Sequence, residues 1–167
     1  LLVADDSAPA TATLERTIAE AHAASTGAPF EHTVLEIVLH EMTLYKQDRY
    51  GRLARLTRQA LAEADGAAGN TWLLGSQRRE AALYKLLSLR NALSALEVDV
   101  RRAHATLLAL LGADEDMAQM YLTHAAQRGE RRPTDEHLQV ELLVESVAVD
   151  MEELEDRLAA LQQAGPY

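Results

Sequence analysis

The sequence predicts an all-α fold: an elongated antiparallel bundle of long helices with coiled-coil-like seams. Three observations carry this. Hydrophobic residues make up 48% of the chain but aromatics only 4%, with four prolines. Ala, Leu, Glu and Arg dominate, and these residues lose little rotamer freedom in a helix. Leu86, Leu89, Leu93, Leu96, Val100, Ala103, Leu107 and Leu110 alternate steps of three and four, the 3.5 period of left-handed coiled-coil packing. Val140, Val144, Val147, Met151, Leu154, Leu158 and Leu161 repeat that rhythm, so a second seam is available to face the first.

Each element follows in order. Residues 1–6 read as a remnant strand of an N-terminal α/β domain, and residues 7–167 as one helical bundle domain. Ser7 to about Ser25 forms a short helix, with Asp6 or Ser7 as its cap, Pro9 in the first turn, and Leu14, Ile18 and Ala21 on one face. Thr26-Gly27-Ala28-Pro29 ends it. A second helix spans about Pro29 to Asp65, with a stripe of Leu35, Val38, Met42 and Tyr45 that resumes at Leu53, Leu56 and Ala60. Gly66-Ala67-Ala68-Gly69-Asn70 is a turn cluster. The third helix runs from Thr71 to Leu111, where Gly112 kinks or ends it. Helices of about 37 and 40 residues would extend about 55 to 60 Å at 1.5 Å per residue. Asp114 caps a short helix through Met120, and His124 to Pro133 is a polar, Arg-rich loop. Thr134 or Asp135 caps the last helix, and Ala164-Gly165-Pro166 stops it.

Composition bounds the function. A chain of 167 residues without internal duplication suits a single sizeable core. Net charge is −10, which argues against a general nucleic-acid surface and suits cations or a basic partner. Cysteine is absent, so disulfides, thiolate metal sites and Cys nucleophiles are excluded. No run of about 18 apolar residues exists, so nothing spans a membrane as a helix. There is no Gly-rich phosphate loop, nucleophile elbow or triad order, and no enzyme is predicted. A di-metal or haem enzyme in the bundle core would need inward Glu-x-x-His pairs on two helices, which do not occur.

Several polar groups stand out. His32, Glu36 and His40 share a helix face; they read as a polar outer stripe rather than a two-His, one-carboxylate metal site. Glu152, Glu153, Glu155 and Asp156 read as a solvated face beside the second seam. Arg128, Arg131 and Arg132 read as loop cations. Met117, Met120 and Tyr121, at helical spacing, read as packing where the long helices end.

The stretch Leu110-Leu111-Gly112-Ala113-Asp114-Glu115-Asp116-Met117-Ala118-Gln119-Met120-Tyr121-Leu122-Thr123 is more specific than periodicity alone. It resembles the eukaryotic CorA-like magnesium channels of mitochondria and plastids, in which a long helix ends in two leucines, five acids and Met-Ala-x-Met-Tyr-Leu-Thr. Three of the five acids are kept, and Gly112 and Ala113 replace the other two. Pro29-Phe30-Glu31 with Leu35-Glu36 is similar to the family's Pro-Phe-Glu-x-x-x-Leu-Glu, and Glu141-Leu142-Leu143-Val144-Glu145 to its Glu-x-Leu-Leu-Glu. The three blocks fall in the family's order.

The resemblance implies the helical stalk or regulatory domain of a magnesium ion transporter. It implies a homo-oligomer, association with the mitochondrial inner membrane rather than the plastid, and regulatory Mg²⁺ at Asp114, Glu115 and Asp116. The alternative for those acids is a solvated loop with Asp114 as a cap. The family's pore motif, Gly-Met-Asn, and its membrane helices do not occur in the chain. A second reading is therefore a pore-less relative that serves as a structural or accessory subunit of a larger organellar assembly and binds other protein subunits.

Overall fold

The structure is a computed structural model and describes residues 7–24, 29–66, 72–130, 133 and 136–163. Among them are six helices and no strand: α1 (Ser7–Ala24), α2 (Phe30–Gly66), α3 (Trp72–Leu111), α4 (Asp114–Gln119), α5 (Leu122–Arg128) and α6 (Leu138–Gln163). The all-α class predicted from composition and period is the one observed. The expected strand at residues 1–6, most of both turn clusters, the Thr134 or Asp135 cap and the Gly165-Pro166 stop lie outside the described residues.

The helices gather into two compact units. One comprises residues 1–42 and 107–147, the other residues 43–106 and 148–167. In the second unit the pairings set the direction of packing. Lys46 of α2 meets Asp99 of α3 at 2.6 Å, and Glu63 meets Lys85 at 2.7 Å. Partner numbers fall along α3 as they rise along α2, so the two helices are antiparallel. His104 and Glu97 of α3 meet Glu155 and Gln162 of α6, each at 3.0 Å, which makes α3 and α6 antiparallel as well. The seams meet here as predicted: Leu93, Leu96 and Val100 of α3 and Met151, Leu154 and Leu158 of α6 are all buried.

The stripe expected on α2 is not the buried one. Tyr45 and Leu56 are exposed, as is Leu44, whereas Thr43, Lys46, Ala54 and Thr57 are buried; of the expected stripe Ala60 is buried as predicted. Most of the burial sits one position further along than predicted, a turn of about 100° around the helix. The seams of α3 and α6 already supply large side chains. α2 adds mostly small side chains to that core, as dense packing without overpacking requires. Lys46 is the exception in size. Its long stem is apolar, and its ammonium group ends on Asp99 rather than in an unpaired state.

The first unit holds α1, the start of α2, the end of α3, α4, α5 and the head of α6. Its core contains Leu107, Met117, Ala118, Tyr121, Val140, Val144 and Val147. Met117 and Tyr121 thus pack as expected. α2 opens on Pro29, whose carbonyl accepts from the His32 and Thr33 amides at 3.1 and 3.3 Å. Proline has no amide hydrogen to leave unsatisfied at that point.

Two expectations about the connection from α3 to α6 are corrected. Asp114 is not a cap. Ala113 occupies that position with no side-chain bond, and Asp114 is the first residue inside α4. Its charge there faces the positive end of the helix, which is favourable without a hydrogen bond. Residues 124–128 are helical rather than loop, as the second part of α5. α5 buries none of its side chains, so no apolar period announces it. Its ends define it instead. Gly129 closes it in the left-handed region at φ 68°, donating to the Ala125 carbonyl at 2.9 Å.

Candidate functional site

The first turn of α4 displays Asp114, Glu115 and Asp116, all exposed. They are successive residues, about 100° apart around the axis, so their carboxylates diverge instead of converging on one ion. Among the described residues no three His, Asp or Glu side chains form a group able to enclose a metal. The turn presents an acidic surface, with no cage of protein ligands.

One acid of this turn is tied to α6. His137, immediately before α6 and buried, has its Nε2 3.7 Å from an Asp114 carboxylate oxygen and 3.7 Å from one of Glu141. The imidazole therefore lies between the acidic turn and the Glu141 end of the Glu-x-Leu-Leu-Glu-like block. Asp114 itself is mostly in solvent, so its charge is open to counter-ions while one face meets the histidine.

The turn leads directly into a clamp between two distant segments. Tyr121 stands at the start of α5 and provides no side-chain cap. Glu31, in the first turn of α2, supplies the acceptors. One of its carboxylate oxygens accepts from the Thr123 amide at 2.8 Å, and the other from the Thr123 hydroxyl at 2.6 Å. The carboxylate thus satisfies an amide that the start of α5 would otherwise leave without an intrahelical partner. Beside it the rings of His32 and Tyr121 meet edge to face, with centroids 4.5 Å apart.

Partial burial works to raise the Glu31 carboxyl pKa. The bonds from the Thr123 hydroxyl and amide, a bond from its own backbone amide and the charge of His32 outweigh that. The carboxyl is held below the ordinary glutamate range. The clamp is an ionised carboxylate at neutral pH.

The sequence points to the acidic turn and to packing by Met117 and Tyr121, which are buried while Met120 is half-buried, but not to these partners. His32 was read as part of an outer stripe with Glu36 and His40. Only Glu36 and His40 are exposed, and His32 turns toward Tyr121. Glu155, read as part of a solvated run, is partly buried and bonded to His104, while Glu152, Glu153 and Asp156 do face solvent. The signal for the clamp was present in the sequence as two motifs, Pro29-Phe30-Glu31 and Met120-Tyr121-Leu122-Thr123. Spacing alone does not say that they touch. Arg128 ends α5 in solvent, and Arg131 and Arg132 lie outside the described residues.

Fold and site define an all-α domain whose acidic turn lies beside His137 at the head of α6 and whose α5 is bonded at its start to Glu31 of α2, with no helix among the described residues long and apolar enough to cross a membrane. The sequence profile of the family described as magnesium transporter MRS2-like matches residues 5–164. The chain belongs to the MRS2-like magnesium transporter family, in agreement with its CorA-like motifs. That family is one of transporters and not of enzymes. No curated protein and no solved structure matches the chain.

Proposed function

We propose that this chain is the helical regulatory domain of a magnesium transport protein in an organellar membrane, the mitochondrial inner membrane ahead of the plastid. It works as one subunit of a symmetric oligomer. The observation that supports this most is the meeting of two family-like motifs at the Glu31–Thr123 clamp, whose Thr123 lies seven residues beyond Asp116 of the acidic turn. On this reading Asp114, Glu115 and Asp116 attract Mg²⁺ through its water shell. Mg²⁺ gives up water reluctantly, so diverging exposed carboxylates suit it better as a hydrated ion than as a caged one. An ion held over Asp114 alters the contact between its carboxylate and the His137 ring 3.7 Å away. Cation occupancy is thereby passed to the head of α6 as a change in helix packing.

Two measurements test this. The first reads the encoding gene beyond the codon for Tyr167. A membrane helix introduced by Gly-Met-Asn is expected, and a stop codon would replace transport by the accessory-subunit reading. The second titrates Mg²⁺ into the wild-type chain and into Asp114→Ala plus Asp116→Ala while following thermal unfolding. Wild type is expected to shift upward and the variant to shift less; equal shifts would remove the ion-sensing role from the turn.

A further inference from the structure

Charge is distributed unevenly over the two units. The first contains 15 acidic and 4 basic residues, a net charge of −11, and the second 11 acidic and 12 basic, a net of +1. The chain's entire negative excess therefore belongs to the first unit. That unit also carries an open apolar groove of about 600 Å³, formed between the start of α2 and the segment from α4 to α5. Phe30, Val34, Val38 and Leu122 line it, with Glu31 and Asp116 among its other lining residues. Phe30 is 50% exposed, Val38 41% and Leu122 63%. Such side chains, side by side in an acidic surface, are a local cost unless something covers them.

We propose that this groove docks a basic amphipathic helix of a partner protein, apolar side chains inward and lysines or arginines over the acidic surround. Two observations select that occupant. Charge complementarity is one: a unit at −11 disfavours an acidic segment as the occupant of its groove and attracts a cationic one. Dimension is the other. From Phe30 to Val38 the groove wall is eight residues of helix, about 12 Å. That is the span of apolar anchors at i, i+4 and i+7 on a docked helix. This inference stands on the groove and the charge of the first unit, and it does not depend on the Mg²⁺ reading of the acidic turn.

The test uses the full chain and a fluorescent synthetic helix of about 18 residues, long enough to hold helical turns. Leucines occupy one face and Lys and Arg the other. A second peptide has the same composition in scrambled order, and a third has Glu in place of Lys and Arg. Anisotropy is read at physiological salt, where general attraction is partly screened. The patterned basic peptide is expected to bind about tenfold more tightly than the scrambled one, and the acidic one not to bind. Val38→Ser plus Leu122→Ser, which leaves the charge unchanged, is expected to remove about tenfold of that affinity, or 1.4 kcal/mol. Equal binding of patterned and scrambled peptides would overturn the proposal by leaving only charge. Undiminished binding to the variant would overturn it by placing the peptide elsewhere. Wild-type self-association that the double variant abolishes would assign the groove to a second copy instead. Should circular dichroism show the double variant unfolded, Val38→Ser alone, at an exposed position, decides.

Discussion

Glu31 does more at the scale of one residue than its place in a surface helix suggests. It is the acceptor that the start of α5 lacks in its own sequence, since Tyr121 has no short side-chain oxygen. Replacing Glu31 by Gln keeps the shape but removes the charge from both bonds. Hydrogen bonds to charged groups contribute about 1.5–3 kcal/mol, so a loss of about 1–2 kcal/mol is expected at this partly exposed site. The pH dependence has a definite sign. The folded carboxyl lies below its ordinary range, so its contribution is complete above the unfolded pKa, about 4.3. It is lost as pH falls through the lower folded value. Urea unfolding should therefore separate wild type from Glu31→Gln at pH 7, and the gap should narrow as pH falls from the unfolded pKa through the folded one. A constant gap over that range would show that the charge is not what the clamp uses.

Elements show where sequence patterns carry information and where they do not. The seams of α3 and α6 were legible because large apolar residues recur at 3.5 positions and both partners read the same way. Leu154 and Leu158, 1% and 0% exposed, should each cost about 2–5 kcal/mol on replacement by Ala, through lost burial and the cavity left behind. Leu142, 55% exposed, should cost about 0.5 kcal/mol or less under the same denaturant titration. The buried face of α2 departs from its apolar stripe by one position over most of its length because that face is Thr, Ala and Lys, residues that hydropathy does not distinguish from a surface. α5 was missed because a helix with no buried side chain has no period; a cap from another helix and a left-handed glycine define it. The acidic turn was legible as a motif. Its partner His137 was not, since that contact depends on where the chain returns after α5.

At the scale of the molecule, the two units differ in what holds their charges. The second unit is close to neutral and laced with exposed ion pairs, among them Arg52–Asp48, Arg101–Glu97 and Arg157–Glu153. Each such pair contributes little, and less as salt rises. The first unit has an excess of like charge, which salt relieves. Raising NaCl from about 0.01 to 0.15 M shortens the screening length from about 30 to 8 Å. Residue-resolved hydrogen exchange should then report slower opening in α4, α5 and the head of α6, and unchanged or faster opening in residues 80–106. A uniform response across both units would sink the distinction. The net charge was visible in composition. Its confinement to one unit was not, because the acids of that unit come from two separate segments, residues 1–42 and 107–147, and only folding collects them.

The Glu31–Thr123 clamp joins residues 92 positions apart, whereas Glu63 and Lys85 are 22 apart. Closing the longer loop costs about 1.3 kcal/mol more chain entropy than closing the shorter. The α2–α3 hairpin can form before the chain has brought α5 back to the start of α2. The clamp is therefore expected to act as a final stitch, so that in stopped-flow measurements Glu31→Gln speeds unfolding more than it slows refolding.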